Sequence, residues 1–154
     1  MKQFIFFIIL LFAPVLTINA QQEDYAKFTI TKATIDGRDY SARYKADGAY
    51  LVFYKSDSNE FCMANVFPKS DSQSYGIITD WKESNYKETS TDYAYDVFKF
   101  NWHFENSYDD KKGVAACRLI KIYKPSGVVY EYEYVLSNGS TAQFSGYMQG
   151  TLKF

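Results

Sequence analysis

The chain has 154 residues, with 17 lysine and arginine side chains against 18 aspartate and glutamate, one histidine and two cysteines. A balance so close to neutral, with no basic block, lacks the electrostatic footprint of nucleic-acid binding and disfavours docking on an anionic membrane surface. The histidine and the two cysteines match no zinc spacing, and no phosphate loop or dinucleotide fingerprint occurs, so no metal or cofactor is expected.

The first twenty residues differ from the rest. Lys2 precedes the apolar run 4–12 (FIFFIILLF), and 17–20 (TINA) ends in a small residue before Gln21. That order reads as a secretory signal peptide over 1–20, leaving a single domain over 21–154 that is secreted or periplasmic. The apolar run is shorter than the ~20 residues that span a bilayer. No cysteine follows the cleavage point to carry a lipid anchor. All 15 tyrosines and both tryptophans lie beyond the leader. Such aromatic density favours pleated surfaces.

Turn signals then recur at short intervals: Asp36-Gly37, Asp47-Gly48, 56–59 (SDSN), 69–72 (KSDS), 83–85 (ESN), 109–113 (DDKKG), 125–127 (PSG) and Asn138-Gly139. Asp-Gly and Asn-Gly supply positive φ at little cost and mark hairpins. The runs between them, 27–35, 38–45, 49–55, 60–67, 74–82, 93–105, 114–124, 128–136 and 140–153, have the length of strands, and 84–92 reads as a polar loop. In 93–105, Phe98, Phe100, Trp102 and Phe104 share one face while Lys99, Asn101, His103 and Glu105 share the other. In 128–136, Val128, Tyr130, Tyr132, Tyr134 and Leu136 share one face, with Glu131 and Glu133 opposite. A period of two over such lengths is a strand with one dry face. In the last run Phe144, Met148, Leu152 and Phe154 align, and Gly146 and Gly150 between them mark bulges or bends.

No run carries a helical stripe, and no connection is long enough for a parallel crossover. The expectation is all-β: an up-and-down antiparallel meander of about eight to ten strands. It closes into a barrel of calycin-like architecture, or else forms a two-sheet sandwich. An immunoglobulin sandwich is disfavoured, because Ala115 stands where that fold has a tyrosine two residues before its second cysteine. The likeness to lipocalins and fatty-acid-binding proteins is architectural, since 27–35 (KFTITKATI) lacks their Gly-x-Trp signature.

Cys62 and Cys117 would close a loop worth roughly 4 kcal/mol as a disulfide, with two separate buried thiols as the alternative. His103 falls on a wet strand face and reads as solvated. Asp96 sits in phase with the aromatics but near the loop. Arg118, in phase with Ile120 and Ile122, is a candidate for an inward guanidinium facing a carboxylate or an anionic ligand. Trp81 and Tyr75 share a phase, which would suit a flat recognition platform. Asn138-Gly139-Ser140 spells a glycosylation acceptor inside a turn.

The leading functional expectation is a non-enzymatic exported binding protein. It would hold a small apolar or aromatic ligand among Phe98, Phe100, Trp102, Phe104, Arg118, Tyr130, Tyr132, Tyr134, Phe144 and Met148. The alternatives are a carbohydrate-binding or protein-interaction sandwich, in which the aromatics face water, and a small outer-membrane barrel. The last needs an apolar band on every strand, which 38–45 (RDYSARYK) does not provide. No feature gives positive support to an enzyme.

Overall fold

A computed structural model describes residues 25–87 and 94–151; residues 1–24, 88–93 and 152–154, and with them the expected signal peptide, lie outside them. The described chain runs β1 (Tyr25–Ile35), β2 (Arg38–Asp39), α1 (Ser41–Asp47), β3 (Tyr50–Lys55), β4 (Phe61–Phe67), β5 (Ser72–Lys87), β6 (Ala94–Asn106), β7 (Lys112–Lys124), β8 (Gly127–Leu136) and β9 (Thr141–Gly150). Each long strand pairs antiparallel with the next, and β1 also pairs with β9. β1 and β3–β9 therefore form a closed eight-stranded barrel, with the short β2 added beside the end of β1. The meander and the barrel are as the alternation and turn spacing imply, and closure rules out the two-sheet sandwich.

Closure is fastened at the end where β1 turns. Asp36 and Gly37 both take positive φ. The Asp36 carboxylate accepts bonds from the Thr141 amide (2.7 Å) and the Ser140 hydroxyl (2.8 Å). Those bonds hold the Asp36 carboxyl below its usual range, the Thr141 amide contributing most.

Residues 38–45 are not the strand their length suggests. Only Arg38–Asp39 pair, and α1 follows. Asp39 accepts the Ser41 amide (2.8 Å), and the Ser41 hydroxyl accepts the Ala33 amide (3.0 Å), so the helix starts tethered to β1. Tyr40 and Tyr44, one helical turn apart, both pack towards the core. Seven residues are too few to reveal a helical period. Asp47-Gly48 accordingly ends a helix instead of turning a hairpin. Gly48, at φ 73°, donates its amide to the Lys45 and Tyr44 carbonyls, a left-handed cap that glycine supplies without strain. At the far end β5 continues to Lys87, so the loop expected over 84–92 is in its first part a strand.

The inward faces of β6 and β8 are those the alternation predicts. Near-parallel rings cross the interior: Trp81 on Phe100 (centroids 5.2 Å, 19°), Phe100 on Tyr132 (6.3 Å, 16°) and Tyr132 on Phe144 (5.9 Å, 18°). With the fully buried Phe28, Phe53, Leu51, Met63 and Leu119, they fill the middle of the barrel. Each large side chain so buried contributes about 2–3 kcal/mol. Two bulges reset the phase of their strands. In β5, Asp80 (φ 56°) and Trp81 together face Phe100, so Trp81 turns inward while Tyr75 stays outside at 39% exposure. The platform expected from their shared phase is therefore not formed. In β1, Thr31 is the extra residue, and burial shifts from Phe28 and Ile30 to Ala33.

One further expectation is corrected, and the cysteines stand as the second of their two alternatives. The inward phase of β7 is Ala115, Cys117 and Leu119, so Arg118 lies on the outer wall, where its guanidinium meets Glu133 at 2.6 Å. Cys62 and Cys117 are both free and buried. Cys117 faces the interior, with its sulfur 3.1 Å from the Tyr132 hydroxyl. Cys62 pairs across from Tyr54 on the outward phase of β4. The barrel wall separates the two sulfurs, and a bridge cannot pass through it.

Burial pushes the Cys117 thiol up to about 12 and the Tyr132 phenol well above its usual value. Both stay protonated in the fold but ionise more readily once the chain unfolds. Stability is intact below the ordinary thiol value near 9 and falls as pH rises from there towards 12. Urea melts on either side of pH 9 should reveal this decline, and Cys117→Ala should flatten it. An unchanged slope in the variant would dismiss Cys117 as a source.

The strands approach most closely at two glycines. A Cβ on Gly146 would overlap the Thr29 carbonyl oxygen, and one on Gly76 the His103 carbonyl oxygen. A Cβ on Gly113 would meet only the Phe104 ring, a side chain that can shift. Gly146→Ala and Gly76→Ala should each lower stability by about 2 kcal/mol or more, with a smaller loss for Gly113→Ala. The midpoints of denaturant unfolding order the three.

Candidate functional site

The β4–β5, β6–β7 and β8–β9 connections all turn at the end of the barrel that carries α1. From α1, Tyr44 reaches inside and packs on Phe67 (5.1 Å) and Phe144 (5.4 Å). Between the β6–β7 and β8–β9 turns lies a cavity of about 330 Å³. Trp102, Phe104 and Tyr134 supply its aromatic wall and Leu136 an aliphatic edge, while Asn65, Ser74, Asn106, Ser137, Asn138, Lys111 and Lys112 supply polar groups. The lining is about half polar, and the volume falls at the small end of the ~300–1,000 Å³ range of small-molecule sites.

Strand phase explains each position. On β6 the inward series Phe98, Phe100, Trp102, Phe104 continues to Asn106 beside the turn. On β8 the series Tyr130, Tyr132, Tyr134, Leu136 ends at the same level, since Trp102, Ala115 and Leu136 share one register across three strands. On β4 the inward series passes from Met63 to Asn65, one step further towards this end.

The two asparagines differ in what they do. Asn106 is saturated: its Oδ1 accepts the Ser74 hydroxyl (2.7 Å), and its Nδ2 donates to Asp109 (3.0 Å). Asp109 also pairs with Lys111 (3.0 Å), which braces the β6–β7 turn. Asn65, only 6% exposed, reaches the Tyr44 hydroxyl, yet its Oδ1 is buried without a hydrogen-bond partner. Leaving a buried carbonyl unpaired costs about 1–3 kcal/mol. The Trp102 indole N–H is already committed to the Met63 carbonyl (3.1 Å). Burial raises the Tyr44 and Tyr134 phenols, so both remain neutral.

Of the residues expected to line a ligand, Trp102, Phe104 and Tyr134 stand at this cavity. Phe100, Tyr132 and Phe144 belong to the packed middle. Phe98, Tyr130 and Met148 pack against that core from the opposite half. Arg118 is outside the barrel altogether. Sequence reasoning missed Tyr44, Asn65 and Asn106. The signal for Asn65 was present: Phe61, Met63, Asn65 and Phe67 share one phase, and the asparagine is the one polar member.

His103 is exposed on the outer wall, its Nε2 3.1 Å from the Thr79 hydroxyl. Asp96 is half-buried at the far end of β6 and accepts the Tyr123 hydroxyl (2.6 Å), as its place near the loop suggested. Among the described residues no group of three histidine, cysteine or carboxylate side chains stands close enough to hold a metal. No family model matches the chain, and comparison with curated proteins and with solved structures finds no match either.

The asparagines should respond oppositely to loss of the amide. Asn106→Leu strips partners from Ser74 and Asp109 and should cost about 2 kcal/mol or more. Asn65→Leu removes an unpaired acceptor and should leave stability within about 1 kcal/mol of the parent, or above it. Urea unfolding measures both, and equal losses would make Asn65 a structural residue instead.

Proposed function

We propose that this protein is an exported, non-enzymatic binding protein that holds one small molecule in the cavity between the β6–β7 and β8–β9 turns. The observation that carries the reading is the cavity of about 330 Å³, walled by Trp102, Phe104 and Tyr134, at one end of a barrel whose middle is filled by rings. A concave space lined by rings and a few polar groups is the usual setting of a small-molecule site. The site is a pocket at one end of a filled barrel, because the middle of the interior is occupied by rings.

Export rests on the charged, apolar and small-residue order of residues 1–20, which lie outside the described part of the chain. A water-facing barrel is supported by the polarity of its wall. The interior is aromatic, while the outer faces carry Lys99, Arg118 and Glu133 in mid-strand. Outer-membrane barrels have the reverse arrangement, apolar outside and polar within.

Native mass spectrometry on the protein expressed with its leader and purified without detergent is the direct test. A retained small-molecule adduct that disappears in Asn65→Leu is the expected result. A ligand-free mass in the parent, together with no fragment-screen hit that perturbs Trp102 fluorescence in a Trp81→Phe background, would sink the reading.

A further inference from the structure

The geometry points to a second site, on the outer wall of the barrel, where Lys82, Lys99 and Arg118 together take one doubly charged oxyanion, a phosphate or sulfate group. It is separate from the end cavity and does not depend on what that cavity holds.

Strand register builds the row. Lys82 of β5 stands opposite Lys99 of β6, and Lys99 stands opposite Arg118 of β7. The bulge at Asp80 is what brings Lys82 into line. Tyr75, Ile77 and Thr79 face outward, so an unbroken strand would put Trp81 outside and Lys82 inside; the extra residue reverses both. The three cations border an open hollow of about 380 Å³, together with Asp80, Asn101 and Glu133.

The charges of this hollow are unevenly matched. Like charges directly opposite on neighbouring strands repel, and Lys99 meets one on each side. Arg118 has a carboxylate partner, Glu133 at 2.6 Å. The Asp80 carboxylate is engaged by the Asn101 amide (2.8 Å) and the Thr79 hydroxyl (3.2 Å). Among the described residues no ion pair reaches Lys82 or Lys99, and both are exposed. These two ammonium groups are therefore the uncompensated charges of the hollow. A bound anion turns their mutual repulsion into shared attraction.

The size of the row sets the ligand class. Two strand spacings make it about 10 Å wide at the backbone, from which three long side chains can converge on one group. Arginine offers paired N–H donors to two oxygens of a phosphate or sulfate, and lysines add point charges. A carboxylate brings a single charge and two oxygens and would use only part of the row. Nucleic acid needs a longer track of cations than three.

The test is thermal unfolding of the full-length protein at constant ionic strength, with chloride replaced stepwise by phosphate, sulfate or glycerol phosphate. Binding should raise Tm saturably, by roughly 4–6 °C at ten times the dissociation constant. Phosphate and sulfate also stabilise proteins by exclusion from their surfaces, so the comparison with variants decides. Lys99→Gln should weaken binding about tenfold, the loss of one charge-assisted contact. Lys45→Gln, on exposed α1, should leave it unchanged. In chloride alone at low ionic strength, Lys99→Gln should melt above the parent, and salt should erase that lead by screening the row. Tighter binding of glycerol phosphate than of inorganic phosphate assigns the site to an ester group, and the reverse order to the free ion; either supports it. A Tm rise that never saturates, or that is equal in Lys99→Gln and the parent, overturns the site. A Lys99→Gln protein that melts below the parent at low salt overturns the repulsion on which the proposal rests.

Discussion

β1 has to pair with β3 and with β9 at once, and most of the structure is a consequence of that requirement. Its first five residues register against β3, while nearly its whole length registers against β9. A ring of eight strands has a fixed girth, and an eight-strand interior is just wide enough for side chains to fill. The Thr31 bulge and the side-chain-free Gly146 let β1 and β9 curve tightly enough to meet. Asp36 then ties the turn after β1 to the start of β9. Once the ring is closed, no long sheet edge remains in need of protection, and stability depends on how well the inside is packed.

The aromatic excess of the chain answers that need. Rings from β5, β6, β8 and β9 span the middle almost in parallel, and the bulge at Asp80 brings Trp81 into the series. A middle so filled leaves room for a ligand only near an end. At the end that carries α1, Tyr44 occupies part of the opening and Asn106 anchors a turn. The remaining space is bounded by Trp102, Tyr134 and Asn65. The same packing that stabilises the barrel thus leaves the space inside it at one end.

How much of this was legible depended on whether the periodicity ran uninterrupted. β6 and β8 carry a ring or, at Leu136, an aliphatic side chain on every second residue over seven-residue spans, so their inward faces could be read directly from Phe98 to Phe104 and from Tyr130 to Leu136. Trp81 and Tyr75 were misjudged because one inserted residue reverses the phase, and a bulge at an aspartate leaves little trace in composition. Arg118 was misjudged for the opposite reason. Apolar residues stand on both phases of β7, and only closure decides that the small Ala115 and Cys117 face inward beside the large rings of β6 and β8. The start of α1 is held by the local Asp39–Ser41 bond and by the bond from the Ala33 amide of β1 to the Ser41 hydroxyl, and the second of these is set by the fold.

The site was less legible than the fold because its informative residue is an exception to a pattern. Three of the four inward residues of β4 are apolar, and a single asparagine among them looks like noise until both its burial and its missing partner are known. In an interior where the other buried polar side chain, Asn106, has its hydrogen bonds met, an amide held on one side by Tyr44 and left open on the other is costly. Aliphatic substitution would remove that cost at little steric expense. Burial keeps the Tyr44 and Tyr134 phenols beside it neutral. Closure therefore fixes the size of the space, and ring packing fixes its place.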